Sequence, residues 1–459
     1  MEYNFDNKIG KFYYNDYEFV GTLNKNNNNY EITVIDREFK SEDEYLLIRG
    51  NVNNKAISFV MINNPIYSSK SEHITETFLI HFLFIGKNIN SLDELKFKNI
   101  SLKINNISSI IHLSSFDFSY DEEKNQEHSP LIIKPTDGYY IKLNDDLKIE
   151  IKLNSYKESL KVLGNGESIC YQEDISIILR YTNYKNINEI TKDVIIIRNL
   201  FSFITGNSQI NEMFIEDYEK HIPIILPIIT DEKAKRSYSA LKLDESNIEK
   251  ILRIWFENYE SHHSIYDLFF TAYPSFLNPA TLFLTYARIL ESYHRKNYDG
   301  VYATKSKFDK ISKKVKNCLK DSEIIKKIED ENEKEKLLMN IKTSISYSYE
   351  YTLKDRLLEL FNDLTKYDFF NDILTKYSDN ENKLNEFCNI IKDNRNYYTH
   401  YGKKNKNVLD GVELSELNEC LKLIIIILFF KEFELSYKQI NELIRKDRRF
   451  MFKHFYSWK

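Results

Sequence analysis

The chain has 459 residues, about three times the length of an ordinary single domain, so it can bury two or three separate cores. Hydrophobic residues make up 42% and charged residues 29%, a globular balance that excludes a wholly disordered or collagen-like chain. The net charge of -5 excludes a global basic field, so any nucleic-acid site has to be a local patch.

Cys170, Cys318, Cys388 and Cys420 lie far apart with no C-x-x-C pair, which points to neither a zinc knuckle nor a disulfide framework and suits a reducing compartment. The N-terminal MEYNFDNKIG has no apolar signal core. The longest apolar run, Leu423 to Phe430, falls far short of the ~20 residues that span a bilayer. A soluble, cytoplasmic protein without a membrane partner is expected. Only 11 Gly and 7 Pro are present, so Asn has to supply much of the turn chemistry.

In chain order, β-branched and aromatic runs come first, at 45–50, 56–62, 78–86 and 146–153, separated by Asn-rich turns such as 26–29 and 51–54. Such runs predict a largely antiparallel β domain. Alternation ends near Arg180, and Ile190, Val194, Ile197, Phe201 and Ile204 then recur at helical spacing, with Gly206 placed to end the helix. A short mixed region to about 240 closes this part.

The rest reads as helices. Ser246-x-x-Glu249 predicts a capping box, Asn278-Pro279 an N-cap with Pro at the first position, and a Lys-rich amphipathic stretch spans about 305–340. Thr352-x-x-Asp355 opens another helix. The next carries Leu384, Phe387, Cys388, Ile391 and Arg395 on one face and is expected to stop at Gly402. Asp410-x-x-Glu413 and Ser436-x-x-Gln439 predict the last two caps. The expected fold is α+β in two domains: a β-rich antiparallel domain over about 8–240 and an all-α bundle of about six helices over about 260–435, with a basic aromatic helix or tail at 436–459.

The sequence Arg395-Asn396-Tyr397-Tyr398-Thr399-His400 closes a helix. There Asn396 and His400 share a face one turn apart, with Arg395 beside them. Cutting RNA by attack of a ribose 2′-OH on its own phosphate needs a proton acceptor, a proton donor and a cation for the crowded phosphorane, and no metal. His400 can move the proton, Arg395 can hold the phosphate in a bidentate fork and Asn396 can orient either. Tyr397, Tyr398 and Tyr401 offer faces for stacking single-stranded bases, and Lys403, Lys404 and Lys406 follow as phosphate contacts. One chain offers one such imidazole where acid and base are both needed, which favours a two-fold axis bringing two copies of His400 together.

Arg and His also stand at loose spacing at Arg288 to His294 and at Arg449 to His454; only the 395 stretch has a polar residue directly after Arg and a helix end at the His. Set in a late helix of an all-α domain, the Arg-Asn-x-x-x-His hexad resembles that of the HEPN ribonucleases. The β-rich domain before it and the stretch LTYARILESYHR at 284–295 are similar to those of ApeA-type anti-phage proteins. This resemblance implies a metal-independent endoribonuclease of abortive-infection defence, active as a homodimer or higher homo-oligomer with a composite site. By position it makes Arg395, Asn396 and His400 catalytic and matches Glu291 to the acidic residue that orients the arginine. The expected substrate is RNA, tRNA or another single-stranded loop, leaving a 2′,3′-cyclic phosphate. The N-terminal domain would sense infection, through a phage-derived activator, or restrain the nuclease.

Plainer readings stand beside these. Cations at the end of a helix complement its carbonyls whatever else they do. Glu291 is placed to pair with Arg288 or Arg295. The stretch 305–320 has seven lysines against Asp309, a local charge of +6, and is either a solvated face or an RNA contact. In 445–459 six basic residues against Asp447, interleaved with aromatics, fit RNA stacking or docking on the chain's own bundle. The run 423–430 belongs either to the bundle core or to a dimer interface. His262-His263 point apart on a helix, no ligand cluster has metal spacing and no Gly-rich phosphate loop occurs, so neither metal nor cofactor is expected. The rival function is an inactive bundle that binds RNA or protein and dimerises.

Overall fold

The computed structural model describes residues 7–26, 29–37, 40–70, 73–86, 88–111, 113, 116–118, 131–133, 138–163, 166–206, 210–217, 220–225, 241–272, 277–346, 348–378 and 381–446. They divide into two units, one running to Phe256 and the other covering Glu257–Lys446.

Alternation of apolar and polar residues builds the first unit. Its strands are β1 (Lys8–Tyr14), β2 (Tyr17–Asn26), β3 (Asn29–Ile35), β4 (Tyr45–Val52), β5 (Lys55–Ile62), β6 (Tyr67–Lys70), β7 (Ile74–Ile85) and β8 (Lys96–Ile104). Then come β9 (Phe116–Phe118), β10 (Leu131–Ile133), β11 (Tyr139–Lys142), β12 (Leu147–Leu163) and β13 (Gly166–Asn186), the helix α1 (Ile187–Thr205), and β14 (Ile210–Asp217) with β15 (Lys220–Ile225). Strands β7, β3, β2, β1, β4 and β5 pair antiparallel in that order and β5 pairs back onto β7, closing a six-stranded barrel. Phe12, Leu23, Ile32, Val34, Leu46, Ile48, Ile57, Phe59, Phe78 and Ile80 all point into its core. A one-residue slip would turn any of these strands inside out, so the pattern fixes the register. The Phe12 ring lies over Gly50 on β4, where a Cβ would collide with it.

Asparagine does make the turns. Asn15 between β1 and β2, and Asn53 with Asn54 between β4 and β5, take positive φ in place of glycine. Beyond the barrel the sheet continues in the order β15, β14, β8, β13, β12, β11, while β9 and β10 pair separately. Helix α1 buries Ile190, Val194, Ile197, Phe201 and Ile204, as their spacing predicts, and ends at Gly206 with φ 83. The capping box that opens it, Asn186 with Glu189, is an addition to the sequence reading. Residues 226–240, in the expected closing region, lie outside the described residues.

The second unit is helical: α2 (Glu245–Ala272, which begins in the first unit), α3 (Pro279–Asn297), α4 (Lys305–Asp321), α5 (Glu323–Lys326), α6 (Glu331–Ser346), α7 (Leu353–Asn362), α8 (Asp368–Tyr377), α9 (Lys383–His400), α10 (Gly411–Glu432) and α11 (Tyr437–Lys446). The described residues thus hold ten helices where about six were expected, chiefly because the Lys-rich stretch is broken into α4, α5 and α6. Asn278, Thr352 and Ser436 cap their helices as predicted. Two caps differ. Helix α2 opens on reciprocal bonds between Asp244 and Asn247, and Glu249 instead receives Arg253 one turn on. Asp410 makes no cap bond because its carboxylate is drawn to Lys404. The tail beyond Lys446, including Arg449 and His454, lies outside the described residues.

Every residue of Leu423–Phe430 is buried within this chain, which makes that run core rather than interface. No helix among the described residues is long and apolar enough to cross a membrane. At the end of α10, Glu432 is half-buried among Tyr266, Tyr293 and Asn258, and its pKa is pushed up to about 7 by partial desolvation, against the three side-chain hydrogen bonds that favour its charged form. A carboxyl kept protonated by the fold loses stability as pH rises from the ordinary carboxylate range through about 7. Glu432→Gln should abolish that loss, on the order of 3 kcal/mol by ~1.4 kcal/mol per pKa unit, so urea unfolding at pH 5 and pH 8 should differ less in the variant than in the wild type.

Candidate active site

Helix α9 carries its apolar stripe through Phe387, Cys388 and Ile391 to Asn394, and all four are buried. Asn394, not Arg395, is therefore the polar member of the stripe; Arg395 sits half-buried at its edge. The Asn394 amide nitrogen donates to the carbonyls of Ile390 (2.8 Å) and Asn407 (2.7 Å), and its oxygen accepts from the Leu409 N–H (2.8 Å). The Asn407 amide donates to Asp393 (2.7 Å), and the Tyr398 hydroxyl donates to the Leu409 carbonyl (2.6 Å). Together these bonds fold the segment after the helix back against the helix end. Sequence reasoning passed over Asn394; the available signal was an amide in line with Phe387 and Ile391, where an unsatisfied polar group would be costly.

The helix stops one residue earlier than expected. His400 is its last residue, and Tyr401, rather than Gly402, takes the left-handed conformation, with φ 47 and its N–H donating to the Tyr397 carbonyl (2.6 Å). That costs a non-glycine residue about 1–2 kcal/mol, and such strain gathers at functional sites. The backbone turn leaves the Tyr401 ring 69% exposed.

His400 is exposed, and its side chain makes no hydrogen bond among the described residues. Arg395 donates to the Asn396 side-chain oxygen (3.4 Å) and has no carboxylate partner among the described residues. The imidazole is thus open to solvent, and the half-buried guanidinium is not neutralised by a carboxylate among the described residues. Tyr397 meets Tyr398 and Tyr401 edge-on, with ring centroids 5.1 and 5.8 Å apart. Tyr398 is half-buried, its ring near Phe283 and its hydroxyl committed to Leu409, which leaves Tyr397 and Tyr401 as the freer stacking surfaces. Lys404 is paired with Asp410, while Lys403 and Lys406 are exposed without an ion pair among the described residues.

Glu291 accepts from Arg295 on its own helix at 3.2 Å. Its ion pair is with that arginine and not with Arg395. Arg295 also bonds Glu350 (2.8 Å), which receives Arg356 (3.0 Å). Arg356 in turn donates to His294 Nδ1 (3.3 Å), and His294 Nε2–H donates to Glu359 (2.7 Å). His294 is fully buried, stacked on Tyr298 at 4.8 Å. Burial, aided by Arg356 and Arg295, pulls its pKa down against Glu359, and the bond from Arg356 requires a bare Nδ1, so the ring is neutral. Of the two described Arg and His pairs, only the one on α9 presents an open imidazole. Among the described residues no three His, Cys, Asp or Glu side chains gather as metal ligands.

The family described as ApeA N-terminal domain 1 matches residues 7–255, and the family described as Apea-like HEPN matches residues 284–439. No curated protein is significantly similar to the chain. A solved structure described as MrkH, a novel c-di-GMP dependence transcription regulatory factor, is 10% identical, with 42% of this chain and 85% of its own covered, at a TM-score of 0.14. That likeness is too slight to carry an argument.

Asn394→Ala strips the partners from the half-buried Leu409 N–H and Asn407 carbonyl, a cost of about 1 kcal/mol for each hydrogen bond lost. Hydrogen exchange should show the Leu409 amide opening at least about tenfold faster in the variant; unchanged exchange there would mean the loop is held by something else.

Proposed function

The chain belongs to the ApeA family and is a HEPN-type anti-phage defence protein, and from that premise we propose that its helical unit is a metal-independent endoribonuclease working at the end of α9. One observation supports the reading: the His400 side chain, five residues on from the half-buried Arg395, is exposed and makes no hydrogen bond among the described residues, whereas His294 has both nitrogens engaged inside the fold. A histidine kept only to complement a helix dipole needs no such opening, and a proton-transfer group does.

In the reaction, the 2′-oxygen of a ribose attacks the adjacent phosphorus, and the bond from phosphorus to the 5′-oxygen of the next nucleotide breaks. One His400 takes the 2′ proton, and the His400 of a second copy supplies the proton that the 5′-oxygen gains. Arg395 holds the phosphoryl oxygens as charge builds on them, and Asn396, already bonded to Arg395, steadies the fork. The products are a 2′,3′-cyclic phosphate and a 5′-hydroxyl. Tyr397 and Tyr401 would stack the flanking bases of a single-stranded loop, as in tRNA, with Lys403 and Lys406 on its phosphates. The β-rich unit would sense a phage component or restrain the nuclease until one arrives.

The test compares RNA cleavage by the full-length protein, and growth arrest of phage-challenged cells, for wild type, His400→Ala and Arg395→Ala. Loss of a positioned acid–base group or phosphate clamp costs roughly 10²- to 10⁴-fold, so both variants should fall by at least about a hundredfold while remaining folded. Variants that behave like wild type in both assays would make the hexad structural and leave the bundle as a binding module.

A further inference from the structure

Helices α4, α5 and α6 form an arm, residues 305–346, that has almost no core of its own. None of the described side chains of α6 is buried, and of those of α4 Ser312 alone is. Both helices nevertheless carry apolar residues at helical spacing, Phe308, Ile311, Val315 and Leu319 on α4 and Leu338, Ile341 and Ile345 on α6. Ile311 is 57% exposed, Val315 40%, Leu337 40% and Met339 72%. Helices of this length draw their stability from covering such a stripe; here Phe308, Leu319, Leu338, Ile341 and Ile345 are half-buried, while Ile311 and Val315, with Leu337 and Met339 beside the stripe of α6, are left uncovered. Two adjoining grooves run along the arm. One of about 520 Å³ is lined by Lys316, Glu335, Leu338, Met339 and Lys342 among others, and one of about 370 Å³ by Asp309, Ser312, Lys313, Lys316 and Lys342 among others.

Charge selects the occupant. Lys305, Lys307, Lys310, Lys313, Lys314 and Lys316 make no ion pair with a carboxylate among the described residues; Lys316 is held by the Ser346 hydroxyl instead (2.8 Å). Residues 321–335 follow directly and hold seven acidic residues against three lysines, a net charge of -4. Glu333 and Glu335 in that segment are exposed and carry no ion pair among the described residues. A polyanion drawn to α4 would meet this acidic segment at once. A second arm set antiparallel would meet its own complement twice, since a two-fold axis places each α4 on the other copy's acidic segment.

We infer that the arm is a docking surface for a second copy of this chain, with each Lys-rich α4 lying along the acidic 321–335 segment of the other and the two apolar stripes covering each other. This pairing does not rest on the nuclease reading, because it is read from mass without any RNA. Electrostatic pairing of exposed groups weakens as salt rises, so the dimer should loosen between 0.05 and 0.5 M salt, over which the screening length falls from about 14 to about 4 Å.

Sedimentation velocity of the full-length protein tests it with complementary charge reversals. Lys313→Glu with Lys314→Glu should weaken self-association on the order of a hundredfold, since like charges then face one another. Glu333→Lys with Glu335→Lys should do the same. Mixing the two variants should restore the dimer, which two misfolded proteins would not do. Ile311→Glu should weaken the wild-type pairing without being rescued by either. A wild type that stays monomeric, or a dimer unmoved by the reversals, would overturn the inference. So would reversals that abolish retention of RNA while leaving the mass unchanged, for the arm would then be a nucleic-acid surface.

Discussion

An imidazole that is to exchange protons must face solvent, yet the backbone beneath it has to hold still, and the end of a helix is where a backbone is least held. In this protein the buried amide of Asn394 meets both demands. It closes three hydrogen bonds, two of them to the segment that follows the helix, from a side chain that is itself fully buried. Tyr398 adds a fourth bond from the other side of the turn. With the loop fixed in this way, Tyr401 can be carried in a left-handed conformation and His400 can stand exposed without fraying. Arg395 then emerges from the edge of a packed stripe, which limits its freedom without sealing it from a phosphate.

The same residue types serve a different end on α3. His294 and Arg356 are buried and joined to Glu350 and Glu359, so their charges and ring nitrogens are spent on each other. Gly300, with φ 56, leaves the room they occupy: a Cβ there would run into the Arg356 guanidinium. Breaking such a network leaves a buried charge bare, which is why it reads as scaffold. The contrast between the buried pair and the open one comes from burial and bonding, quantities that spacing along a sequence does not carry.

Much of the architecture was legible because period and burial are linked. Alternating burial in YLLIRG marks a strand with one face in a core, the continuous run AISFVMI marks one buried on both faces, and the stripe from Ile190 to Ile204 marks a helix against a sheet. The barrel closure was not legible, since the pairing of β5 with β7 joins residues whose local patterns are silent about each other. Local competition explains the missed caps: Asp410 had a lysine nearby, and α2 begins one residue before Ser246, where Asp244 and Asn247 bond reciprocally. At the end of α9, the place of the hexad in the last turns was legible from the helical pattern before it, while Asn394 was hidden by looking like one more polar residue of a helix.

The central claim is that the end of α9 cuts RNA through its own side chains by way of the neighbouring 2′-hydroxyl. Its most direct measurement is the chemistry of the ends left on RNA that the full-length protein has cut in the presence of EDTA. The account predicts a 2′,3′-cyclic phosphate on one side of the break and a 5′-hydroxyl on the other. Cleavage that stops in EDTA, or that leaves a 3′-hydroxyl and a 5′-phosphate, would contradict it.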